Sequence, residues 1–178
     1  MSEKSSPFVH AVDLARLPEG ETEIALAPKA AEREALADWA GVDAVDALAG
    51  TVRLKKLGAG HFHYDARFTA DVTQSCVVTL EPVHSHIERA FKRLYQVESM
   101  RNAPIGKRAI ELSATVDDDE PEILDSSKFD IAGPVLEELS LAIDPYPRAP
   151  GAAFQPPKEK DAARESPFAV LKGLKTKS

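Results

Sequence analysis

The sequence predicts an α+β domain, an antiparallel β meander packed with two or three helices and followed by a basic C-terminal tail. Three observations predict it. Between His61 and Thr73, the residues Phe62, Tyr64, Ala66, Phe68, Ala70 and Val72 alternate with His61, His63, Asp65, Arg67, Thr69, Asp71 and Thr73. That period of two marks a long strand with one buried face and one polar face. The run Val52–Leu57 precedes it across Gly58, Ala59 and Gly60, a glycine-bearing link between extended runs that reads as a hairpin. Further on, Ile131, Val135, Leu136, Leu139 and Ile143 fall on one helical stripe. A half-apolar sheet needs a cover on one side only, and helices lying outside the meander supply it.

The remaining elements follow in order. Phe8 with Val9, and Ile24 to Leu26, read as short strands separated by a break at Leu17, Pro18, Glu19 and Gly20. Ala30 to Trp39 holds neither Gly nor Pro and is rich in good helix formers. It reads as a helix with Leu36 and Trp39 on one side and Gly41 as its stop. Cys76 to Leu80 reads as a short apolar strand that Pro82 ends. His86 to Val97 fits a helix or a strand, and the surrounding meander favours strand. Asp117 to Glu122 is too charged to pack and reads as a solvated turn. Asp130 is expected to cap the helix of the Ile131–Ile143 stripe, with Pro134 tolerated in its first turn and Asp144 to Pro147 as its stop. The domain is expected to span residues 1–147. A linker over 148–165, rich in Pro, Ala, Lys and Glu, buries too little to order itself. Residues 166–178 read as a short helix or docking motif that opens on Ser166 and Pro167 and carries Phe168, Leu171 and Leu174 on one side.

Charge narrows the partners. The net charge is −7, yet residues 151–178 carry 6 Lys+Arg against 3 Asp+Glu, so the tail is basic and the body acidic. Nucleic-acid affinity comes largely from Lys and Arg displacing counterions. Tight, direct RNA binding by the body is therefore disfavoured, and a basic protein suits it better. The one cysteine, Cys76, forbids an intramolecular disulfide. No apolar run approaches the roughly 20 residues of a membrane helix, and Met1 to Phe8 lacks the apolar stretch of a secretory signal. A cytoplasmic protein without membrane contact is expected.

Two stretches carry a resemblance. Val72 to Val83, with Cys76 shortly before Leu80, Glu81, Pro82 and Val83, is similar to the signature of the YceD family in the form found in alphaproteobacterial members. Leu136 to Gly151, followed by Ser166 to Lys172, resembles that family's helix, proline-rich exit and terminal segment. The similarity runs from about residue 8 to residue 175. It implies a role in accumulation of large-subunit ribosomal RNA through contacts with a ribosomal protein or a pre-ribosomal particle, with no cofactor and no catalytic residue to carry over. Interaction candidates are Cys76, Leu80, Glu81 and Pro82, together with Pro167, Phe168, Leu171 and Leu174. Many members of the family have Cys-x-x-Cys, whereas Thr79 occupies the second position here. A thiolate pair is the minimum for a cysteine zinc half-site, so that chemistry is not expected.

Other chemistry is sparse. The chain has no glycine-rich phosphate loop and no nucleophile elbow. His61 with His63, and His84 with His86, are two apart, so on a strand each pair shares a face and can chelate a metal. Surface histidines are the plainer reading, and metal-dependent hydrolysis would need the two pairs to meet. Cys76 as a nucleophile would need a nearby base; a small buried side chain is the plainer reading. Glu81 has no second carboxylate placed beside it by spacing. The function expected is thus a non-enzymatic ribosome-biogenesis factor. The alternatives are a metal-dependent hydrolase or nuclease, and a chaperone for a basic ribosomal protein.

Overall fold

The alternation between His61 and Thr73 becomes the middle strand of a five-stranded sheet. The computed structural model describes residues 6–58, 60–100 and 120–154. In chain order these form β1 (Ala11–Asp13), β2 (Glu21–Leu26), α1 (Ala30–Ala40), β3 (Ala44–Gly58), β4 (His61–Ser75), β5 (Pro82–Val97), β6 (Glu122–Leu124), β7 (Lys128–Asp130) and α2 (Gly133–Ala142). Among the described residues the sheet order is β2-β3-β4-β5-β6, with β1 and β7 in a separate two-stranded ribbon. Neighbours run antiparallel except β5 and β6, which pair in parallel at Tyr95–Val97. The fold is α+β, as the sequence predicts.

One parity of β4 is closed off. Phe62, Tyr64, Ala66, Phe68, Ala70 and Val72 are buried, as are Val52 and Leu54 beside them on β3. Each large side chain among them contributes about 1.5–3 kcal/mol by leaving water. The cover consists of α1 on β3, through Leu36 and Ala37, and α2 on β4 and β5, through Val135, Leu136 and Leu139. The ribbon adds Phe129, whose ring lies edge-on to Tyr64 and 4.7 Å from Tyr95. The buried Tyr64 hydroxyl donates to the Ile131 carbonyl at 2.7 Å, tying the sheet to the entry of α2. The other parity of β4 has no cover among the described residues.

The hairpin forms where the glycines place it, with Gly58 at φ 97° and Gly60 at φ 76°. His86–Val97 is strand, and β5 extends it back to Pro82. Gly41 ends α1 in the left-handed region.

Several expectations need correction. β3 starts at Ala44 rather than near Val52, because a bulge between Val45 and Ala47 keeps the strand paired while shifting its face. The first short strand is Ala11–Asp13, not Phe8 and Val9, and it pairs with β7. Cys76 to Leu80 is a turn. The β4–β5 register closes at Ser75 opposite Pro82, so the residues between must reverse the chain. Asp130 does not cap α2, whose N-cap is Ala132 with no side-chain bond. Asp130 ends β7 instead, and its Oδ1 accepts from the backbone N–H groups of His10 and Ala132. Pro134 sits in the first turn of the helix, as the sequence predicts.

Of the Asp117–Glu122 turn, residues 117–119 lie outside the described residues; Glu120 is exposed and Glu122 begins β6. Residues 148–154 continue without helix or strand. The rest of the expected linker and the segment with Pro167, Phe168, Leu171 and Leu174 lie outside the described residues. No helix among the described residues is long and apolar enough to cross a membrane.

Candidate functional site

At the end of the sheet where β4 turns into β5, two stretches some seventy residues apart are fastened together. Gln74 and Cys76 follow the buried parity of β4, and each holds the exit of α2. Gln74 Nε2 donates to the Asp144 carbonyl at 2.9 Å. Cys76 Sγ accepts from the Ala149 N–H at 3.2 Å, and Val77 N–H donates to the Pro147 carbonyl at 2.9 Å. Gln74 Oε1 is buried with no protein partner among the described residues.

The turn is closed around the sulfur. Val78 and Thr79 N–H groups both approach Cys76 Sγ at 3.4 Å, while Leu80 N–H donates to the Cys76 carbonyl and Cys76 N–H to the Glu81 carbonyl. Donors aimed at sulfur favour the thiolate. The Thr79 hydroxyl, then the N–H groups of Ala149 and Thr79, push the Cys76 thiol down to about 6 against the opposing effect of burial. Cys76 has no exposed surface, and no histidine or carboxylate bonds its sulfur among the described residues. Its sulfur staples the turn to the α2 exit.

What the staple displays is apolar. Leu80 has φ 63° and is the only non-glycine with positive φ among the described residues. A leucine there is strained and persists only where neighbouring bonds over-determine it. Leu80 is nevertheless 77% exposed, beside Val77 at 47% on the same turn and Tyr146 at 71% on the α2 exit. Glu81 and Pro82 are exposed as well, with Glu81 Oε2 3.2 Å from the Thr79 hydroxyl oxygen. The result is an exposed apolar tip on a closed polar frame.

Below the tip, the open face carries cross-strand polar bonds. The bulge at Asp46 brings its Oδ2 to the Thr73 hydroxyl at 2.7 Å. Thr73 Oγ1 also lies 2.8 Å from His84 Nδ1. Ser75 donates to Asp43 at 2.7 Å, and His86 Nδ1 lies 2.6 Å from Asp71 Oδ1. A groove of about 390 Å³ between α1 and the start of β3 is lined by Glu34, Asp38, Asp43 and Asp46 against one Arg33, so this end of the molecule is acidic. The Asp46, Thr73 and His84 chain is not a nucleophile with its base. The Thr73 proton goes to the carboxylate, and the imidazole must then act as donor.

The two histidine pairs share this face but not a place on it. His61 and His63 stand opposite Gln96 and Leu94, while His84 and His86 stand opposite Thr73 and Asp71. Eight residues of β4 separate His63 from Asp71, about 26 Å at strand rise. No centre uniting the four imidazoles is formed, and among the described residues no group of three or more metal-ligating side chains converges. His63 also lies between basic neighbours. Burial, opposed by Asp65 and assisted by Lys92 and Lys55, lowers its pKa.

Sequence reasoning named Cys76, Leu80, Glu81 and Pro82, and they fall together at the tip. It missed Gln74, Val77 and Tyr146, along with Asp46, Asp71 and Thr73 of the polar bonds. Gln74 gave one signal: it is polar in a register whose other members are buried and apolar.

This is an α+β protein whose distinctive site is a stapled turn with an exposed apolar tip and no assembled reaction centre among the described residues. A protein-family model described as large ribosomal RNA subunit accumulation protein YceD matches residues 64–175, and the chain belongs to the YceD family. That match takes in β4 from Tyr64 onward, the stapled turn, β5 and α2. No curated protein and no solved structure matches the chain.

Proposed function

We propose that the protein is a non-enzymatic, cytoplasmic factor for large-subunit ribosomal RNA accumulation that works by docking its stapled tip on a ribosomal protein or pre-ribosomal particle. The observation that carries this reading is Leu80. A strained leucine left 77% exposed within the family-matched stretch buries little against its own chain, and an apolar group presented on a rigid frame suits a partner's pocket. Glu81 and Asp144 rim the tip, and the acidic groove of Glu34, Asp38, Asp43 and Asp46 lies at the same end of the sheet. That charge favours a basic partner and repels bare phosphate backbone.

The test is complementation after depletion of the protein, read as the large-subunit profile on a gradient. Wild type restores the profile, whereas Leu80→Gly combined with Tyr146→Ser folds normally and fails to restore it. Full restoration by the double variant overturns the docking reading. A second reading, a chaperone for one basic ribosomal protein, is favoured by the acidic groove. Capture that disappears in high salt points to the groove, and capture that survives it points to the apolar tip.

A further inference from the structure

We propose that His84 and His86 form a surface chelate for one divalent transition-metal ion, separate from the tip and independent of any hydrolytic role. Three observations converge on it.

The first is placement. β5 sets the two residues on the open face, two apart, opposite Thr73 and Asp71 of β4. Residues so spaced point the same way about 6.6 Å apart along the strand, within reach of one ion between two imidazoles. Both side chains are exposed.

The second is the state of the rings. An ionised carboxylate only accepts hydrogen bonds, so Asp71 Oδ1 at 2.6 Å takes the Nδ1 proton of His86. The Thr73 hydroxyl gives its one proton to Asp46, so His84 Nδ1 at 2.8 Å must give its own to Thr73 Oγ1. Both tautomers are fixed the same way. In each neutral ring the lone pair is on Nε2, which bonds no other described residue. A ligating histidine held through its second nitrogen by a carboxylate, directly or through one hydroxyl, is how proteins orient metal-binding imidazoles.

The third is charge, and the other pair supplies the contrast. Asp46 of β3, through Thr73, and Asp71 of β4 hold carboxylates against His84 and His86, a field that draws a dication. His61 and His63 have the same spacing, but at His63 Lys92 and Lys55 oppose the nearby Asp65 and Glu21, and no carboxylate bonds either ring. Spacing alone would make the two pairs equal, whereas the surrounding groups make only one of them a site. Imidazole nitrogen selects zinc, nickel or copper over magnesium and calcium, and water or a partner's side chain completes the shell.

The test is calorimetric titration of the full chain with zinc chloride and with nickel chloride. One ion binds per chain, His84→Ala or His86→Ala abolishes binding, and His61→Ala with His63→Ala leaves it unchanged. Asp71→Asn weakens it about tenfold, the usual effect of removing an orienting carboxylate. These side chains lie on the uncovered face, and circular dichroism of each variant confirms the fold. The proposal is overturned if neither metal binds, if the His61/His63 variant loses as much as the His84/His86 variants, or if Asp71→Asn binds like wild type.

Discussion

Along β4, the residues from Phe62 to Gln74 lie under two helices and a ribbon, whereas those from His63 to Ser75 face water on the same backbone. The covered parity makes few kinds of contact, apolar packing and ring against ring, and many of each. The open parity makes many kinds, each local: Arg53 and Lys92 both reach Asp65, Asp71 meets His86, and Thr73 links Asp46 to His84. Exposed ion pairs of this sort contribute about 0–1 kcal/mol each. Stability is therefore concentrated on one side of the strand and recognition chemistry on the other.

The largest expected effect tests that division directly. Tyr64→Ala removes a buried ring packed near Phe91, Tyr95 and Phe129 and leaves the Ile131 carbonyl without its donor. A loss of about 3–5 kcal/mol is expected, as for other large aromatic truncations. Thr69→Ala, five residues along on the open parity, should stay within about 0.5 kcal/mol of wild type. Urea unfolding of both variants measures the contrast. A comparable loss for Thr69→Ala would show that the open face is covered by something that holds the fold.

The strand itself was legible in the sequence because burial on one side writes period two without ambiguity. Its partner β3 was legible only from Val52 onward. Val45 and Leu48 are both buried yet three apart, and the bulge at Asp46 is what lets a strand bury residues at that spacing. Local pattern cannot distinguish an inserted residue from a helical spacing. The turn was misread for a different reason. Val77, Val78 and Leu80 have strand-like composition, but Val77 and Leu80 are exposed, and apolarity there serves display rather than packing. The bonds from Gln74 and Cys76 to Asp144 and Ala149 span some seventy residues and leave no periodic trace. The two stretches that carried the family resemblance are nevertheless the two that these bonds join.

Cys76 is the point where the covered side reaches the tip, and pH exposes its role. The folded thiol titrates at about 6 and an unperturbed one at 9.0. Folding therefore favours the thiolate, and its contribution to stability is absent below about pH 6, grows between 6 and 9, and is fully present above 9. Wild type should gain stability relative to Cys76→Ser across that window, as read from the difference in urea midpoints. Ultraviolet thiolate absorbance should show a midpoint near 6. A constant difference between the two proteins across the window would make Cys76 an ordinary buried thiol.

The smallest effect carries the clearest functional meaning. Leu80 sits at φ 63°, where a side chain costs about 1–2 kcal/mol over glycine. Glycine gives back about 0.5–1 kcal/mol through its greater freedom when unfolded. Leu80→Gly should therefore stabilise the isolated chain by about 0–1.5 kcal/mol while weakening its capture of a partner. Stability and binding moving in opposite directions at one residue is the mark of a group kept for recognition. If Leu80→Gly instead lowers the urea midpoint, the leucine packs against its own chain, and the tip belongs with the covered side of the molecule.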